Sequence, residues 1–104
     1  MEQPNLSLIK EIADNDTDFE KSILDILKRE FPDEVALYKK NYNAKNYAEA
    51  SDDVHKLKHK ISLLGLNEGF KLAADYETEL KKEDTRLHNN FIEILDKIHV
   101  YLYS

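Results

Sequence analysis

The chain predicts an all-α fold, an antiparallel up-and-down four-helix bundle with a short additional N-terminal helix. Three observations carry that expectation. Only two glycines and two prolines punctuate the 104 residues, and these are the residue types that most often break regular elements. Apolar residues recur at steps of three and four instead of alternating, which is the helical period and not the strand period. The polar stretches between periodic segments are short, and short connections join antiparallel neighbours in bundles.

Taken in order, Asn5 to Ala13 can form a short helix after Pro4, with Leu6, Ile9 and Ile12 apolar. Asn15-Asp16 breaks it. Thr17-Asp18-Phe19-Glu20 reads as a capping box, Thr17 accepting from the third-position amide and Glu20 reaching back. The next helix carries Phe19, Ile23, Ile26, Leu27 and Phe31 on one face. Pro32 is expected to kink or restart it, since proline has no N–H to donate. Val35 and Tyr38 extend the pattern to about Tyr42. Asn43 to Asn46 is a polar connection, and a central helix runs from about Asn46 to Leu64. Gly65 ends it, as glycine commonly does just past a helix. Asn67 suits the N-cap of the following helix. The apolar face there holds Phe70, Ala73, Ala74, Tyr76 or Glu77, and Leu80. Lys81-Lys82-Glu83-Asp84 makes a polar turn, with Asp84 able to cap the last helix. Leu87, Phe91, Ile94, Leu95, Ile98 and Leu102 recur along that helix at helical spacing.

Residues 1–104 read as a single domain, since the length is near the common domain size. Charged residues make up 35% and the apolar set 41%, a balance that suits a small helical bundle. The net charge of −6 argues against nucleic acid as a partner, because phosphate binding needs a basic face. There is no cysteine, so neither a disulfide framework nor a thiolate metal site is available. No apolar run approaches the length of a membrane span. The start, Met1-Glu2-Gln3-Pro4, lacks the basic and apolar regions of a signal peptide. The expectation is a cytoplasmic monomer without membrane contact.

The central helix holds the chemistry. At about 100° per residue, Tyr47, Ala50, Val54, Leu57, Ile61 and Leu64 fall on one arc and form a core stripe. Ser51, His55, Lys58, His59 and Ser62 form a second stripe, centred roughly 120° away. His55 is therefore on a polar face. The pattern His55-x-Leu57-Lys58, followed by Leu64-Gly65 nine and ten residues after the histidine, resembles the histidine-containing phosphotransfer (HPt) domain. That family usually shows alanine and then histidine, x, leucine, lysine, glycine, with leucine and glycine later at this spacing. The resemblance covers residues 44–80 best. It departs at His59, which stands where the family usually has glycine.

The resemblance implies that His55 accepts a phosphoryl group from a receiver-domain aspartate and passes it to another receiver. The partner would supply the Mg²⁺ and the aspartate; this chain would need no cofactor of its own. It lacks a glycine-rich phosphate loop, so it should not bind ATP. A phosphoryl acceptor must be a neutral, accessible imidazole nitrogen. The positive charge of Lys58 favours a neutral neighbour and can pair with phosphoryl oxygens. The plain alternative for Lys58 is a solvated lysine. Ser51 and Ser62 are short and would leave room for a docking partner. Glu77, on the next helix, is a candidate to fix the His55 tautomer, although an ordinary solvated glutamate is the slightly favoured reading.

His59 would put a bulky ring on the approach surface, either tuning partner choice, bonding the phosphoryl group or slowing transfer. His55 and His59 are also an i, i+4 pair, to which Asp52 could add a metal ligand, but the pair alone is a weak metal signal. His88 and His99 have no such context and are expected at the surface. Two other functions stay open: a helical module that docks receiver or kinase partners without being phosphorylated, and a metal-binding bundle.

Overall fold

A computed structural model describes residues 2–104. The described residues form five helices and no strand: α1 (Ser7–Ala13), α2 (Thr17–Asn43), α3 (Tyr47–Leu63), α4 (Asn67–Lys81) and α5 (His88–Tyr103). The molecule is elongated, 43 × 24 × 21 Å. α3 packs against α2 on one side and α4 on the other, α4 and α2 each meet α5, and α1 lies on α2. No helix among the described residues is long and apolar enough to cross a membrane.

The core is built from the stripes that the periodicity marks. Ala50, Val54, Leu57, Ile61 and Leu64 are buried, together with Leu27, Phe31 and Tyr38, with Ala73, Tyr76 and Leu80, and with Phe91, Leu95, Ile98 and Leu102. Ile9 of α1 joins them. Burying a large aliphatic or aromatic side chain stabilises by about 1.5–3 kcal/mol relative to leaving it exposed, so these contacts are the main source of stability. Phe19 and Ile26, predicted on the inward face of α2, are 48% and 43% exposed instead. The buried stripe of α2 is narrower than its sequence suggests, Leu27 being 3% exposed while its neighbour Ile26 stays open to solvent.

The helix ends differ from the sequence reading in four places. Asp16, not Thr17, caps α2: its carboxylate accepts from the Phe19 amide at 3.0 Å, and Thr17 is already helical. Pro32 does not restart α2, which continues as one helix to Asn43. Asn67 is the first residue of α4 and gives no side-chain cap. Asp84 accepts from the Arg86 amide in the turn, while α5 starts only at His88. Gly65 behaves as expected. It turns the chain at φ +79°, a conformation that costs glycine little, and the Leu66 amide reaches back to the Ile61 carbonyl at 3.2 Å.

Two partly buried polar contacts tie α2 to α3. Asn41 donates to the Asp53 carboxylate at 2.7 Å; burial raises the Asp53 carboxyl above its ordinary range despite that bond. The Lys60 ammonium lies 3.2 Å from Glu30 and 2.8 Å from Glu34. Burial alone would lower this lysine, but its hydrogen bonds to Glu34 and Glu30 reverse that and raise it.

Candidate functional site

Leu57 and Ile61 anchor α3 in the core, so the side chains on its opposite edge are carried on a rigid rod. His55 is on that edge and its side chain is 52% exposed. Glu77 comes from α4, the helix that packs most extensively on α3. Its two carboxylate oxygens lie 3.1 and 3.2 Å from His55 Nδ1. The Lys58 ammonium donates to Glu77 Oε1 at 2.9 Å. The slightly favoured sequence reading of Glu77, a solvated glutamate, is corrected: only 15% of its side chain is exposed, and it is shared between histidine and lysine.

The chemical consequence is a fixed tautomer. A carboxylate beside Nδ1 holds the proton on that nitrogen, and the lone pair is left on Nε2, which points away from Glu77. Burial pushes the Glu77 carboxyl up, but hydrogen bonds from Lys58 and His55 outweigh it, and the net shift is down. Glu77 is thus ionised where the pair needs it. Lys58 is not a free surface ammonium. It is 15% exposed, and it also lies over the Phe70 ring, 5.6 Å from the centroid, within cation–π range.

His59 is exposed and adjacent. Its Nε2 is 3.4 Å from His55 Nε2, and the two rings meet edge to face at 4.9 Å. Beyond it an apolar groove runs along Ile23, Ile26, Leu27 and Leu63. Ser62 is half-buried. Ser51, expected to leave room on the open face, does not lie there. It is 1% exposed, and its hydroxyl donates to the Glu77 carbonyl at 2.8 Å. α4 crosses above this turn of α3, and Ser51 seats the Glu77 backbone there. The structure therefore gathers His55, Lys58, His59 and Glu77, puts Ser51 beneath them, and leaves Asp52 out, since no cluster of three or more potential metal ligands forms among the described residues.

A second polar group carries no signal in the sequence. His88, expected at the surface, is half-buried; its Nδ1 meets the Tyr38 hydroxyl at 2.6 Å, and Tyr38 meets the Tyr76 hydroxyl at 2.5 Å. Burial pushes Tyr76 up to about 12 and Tyr38 still higher, so both phenols stay neutral. The two hydroxyls are sealed in the core, and the cluster acts structurally. His99 is at the surface, as expected.

No protein-family model matches the chain, and no curated protein or solved structure matches it. The functional reading therefore stands on the geometry and on the short motif around His55.

Proposed function

We propose that the chain is a phosphorelay intermediate: a receiver-domain aspartyl phosphate transfers its phosphoryl group to His55 Nε2, which passes it to a second receiver. The observation that supports this best is the Glu77 contact. A carboxylate held 3.1 Å from Nδ1 leaves the lone pair on Nε2 of a helix-mounted imidazole, facing away from Glu77 and towards His59. In the transfer, the bond from phosphorus to the aspartate oxygen breaks and a bond from phosphorus to Nε2 forms. The aspartate leaves as a carboxylate on the partner, with its Mg²⁺. The imidazole keeps its Nδ1 proton and gains positive charge, which Glu77 offsets, as an orienting carboxylate does beside a catalytic histidine. Positioning and charge neutralisation are what phosphoryl transfer mainly asks of a protein.

Lys58 is close enough to Glu77 to swing between that carboxylate and the phosphoryl oxygens. The apolar groove beside His59 offers the receiver a docking edge. The reading carries with it an antiparallel up-and-down four-helix arrangement, a monomeric state, receiver domains as partners and a cytoplasmic location. His59 stands in the approach path, and its Nε2–H donating to His55 Nε2 would have to let go before attack.

The test is labelling from a phosphorylated receiver. His55→Gln should take up no phosphate while its circular dichroism stays that of the parent, because the ring lies off the core stripe. The label on the parent should be acid-labile and base-stable. A chain that docks receivers but never labels would be the unphosphorylated module instead.

A further inference from the structure

His55 and His59 make a geometric pair that phosphoryl transfer does not explain. They sit one turn apart on α3, both exposed, with Nε2 to Nε2 at 3.4 Å. Two zinc–nitrogen bonds of about 2.0–2.1 Å at a tetrahedral angle separate the nitrogens by about 3.3–3.4 Å. The rings therefore already hold the span that one metal ion requires. The two rings meet edge to face, with their planes at 87°.

The surroundings fit as well. Histidine ligands usually donate their second ring N–H to a carboxylate, which fixes the ring and raises its basicity; Glu77 is at that position for His55. Lys58, one turn from His55, is paired with the same carboxylate, which also has Lys81 at 3.9 Å. Imidazole ligands suit zinc, copper and nickel, whereas magnesium and calcium want oxygen donors. No third residue completes a cluster among the described residues, so the ion would keep water in its other positions. His59 need only move its proton to Nδ1, a tautomer change that leaves the heavy atoms where they are.

We propose that His55 Nε2 and His59 Nε2 chelate one divalent transition-metal ion of the zinc class. The ion takes the same lone pair that a phosphoryl group would take. Metal and phosphate would therefore exclude each other, a corollary that rests on the proposed phosphotransfer.

Calorimetric titration with Zn²⁺, repeated with Cu²⁺, tests the site on the full chain. One saturable site is expected. His55→Gln and His59→Gln should each weaken it by at least about tenfold, since losing even an outer-shell partner of a metal ligand costs about that much, while His99→Gln should leave it unchanged. In NMR spectra the side-chain signals of His55 and His59 should shift together. No saturable binding, or equal binding by the His55→Gln/His59→Gln double variant, overturns the proposal. No phosphodonor enters this titration, so its failure leaves the phosphotransfer reading untouched. Conversely, a chain that binds zinc at this pair but never labels sinks the transfer reading alone.

Discussion

His88 stacks on Tyr42 with ring centroids 3.6 Å apart and faces the Tyr38 hydroxyl at 2.6 Å. A consistent proton order has Tyr76 donating to Tyr38 and Tyr38 donating to Nδ1, which requires a neutral ring. Burial, and then the nearby Lys39 charge, lower this histidine below its ordinary value. The sign of the linkage follows. The unfolded chain takes a proton on His88 near the usual value of about 6.5, while the folded chain resists it. Stability must therefore fall as pH drops through that value and on down to the lower folded value. His88→Gln should flatten this part of the curve, read as the difference between parent and variant in urea denaturation at stepped pH. Identical slopes would mean that His88 titrates alike in both states. Nothing in the sequence announces this ring. It stands at the start of a helix among polar residues, and its partners are fifty and twelve positions away. Glu77 is a milder case: its helix and side could be anticipated, but the carboxylate's reach to both His55 and Lys58 could not. The open position expected for Ser51 failed because the stripe it shares with His55 is wide, and α4 covers the near end of it.

α2 runs unbroken through Pro32, and one contact that supports this turn comes from the other end of the chain. Proline at this position cannot donate to the Lys28 carbonyl one turn back. The Tyr103 hydroxyl, from the last turn of α5, donates to that same carbonyl at 2.6 Å. The acceptor that the ring orphans is thus satisfied from a neighbouring helix. Tyr103→Phe should cost about 0.5–1.5 kcal/mol, the usual net worth of one such bond. In a Pro32→Ala background the backbone donor returns, and the same change should cost less. Unfolding curves for the four chains complete the cycle; equal costs in both backgrounds would remove the link between Pro32 and Tyr103. Helix existence and core stripes were legible from period alone, because each stripe is a local pattern. The continuation through Pro32 was not, because proline locally argues for a break and the Tyr103 contact that supports the turn comes from 71 positions away (103 − 32). The N-cap positions of α2 and α4 each fall one residue before the expected Thr17 and Asn67, within the one or two residues by which helix ends commonly vary.

At the scale of the whole molecule, the segment before α1 closes the end of the structure. The Asn5 amide donates to the Leu64 carbonyl at 2.8 Å, and the Asn5 side chain fills the space that any side chain at Gly65 would need. Glu2 reaches further. Its carboxylate accepts from the Glu68 amide at 2.8 Å and from the Gly69 amide at 3.0 Å. These are first-turn donors of α4, which have no partner within the helix, and α4 has no side-chain cap from its own flank. The Lys97 ammonium, on α5, donates to the Glu2 carbonyl at 3.1 Å. One residue thus links the start of α4 to α5, and its negative charge also suits the positive end of the helix dipole. Glu2→Ala should lower stability by about 0.5–2 kcal/mol, the range for removing a helix cap. Glu2→Gln should fall between, since an amide oxygen can still serve one N–H but carries no charge. Adding salt should narrow the gap between the parent and Glu2→Gln, because it screens the dipole part alone. If Glu2→Ala unfolds at the same denaturant concentration as the parent, α4 caps itself with water, and the segment before α1 contributes no stability through this contact.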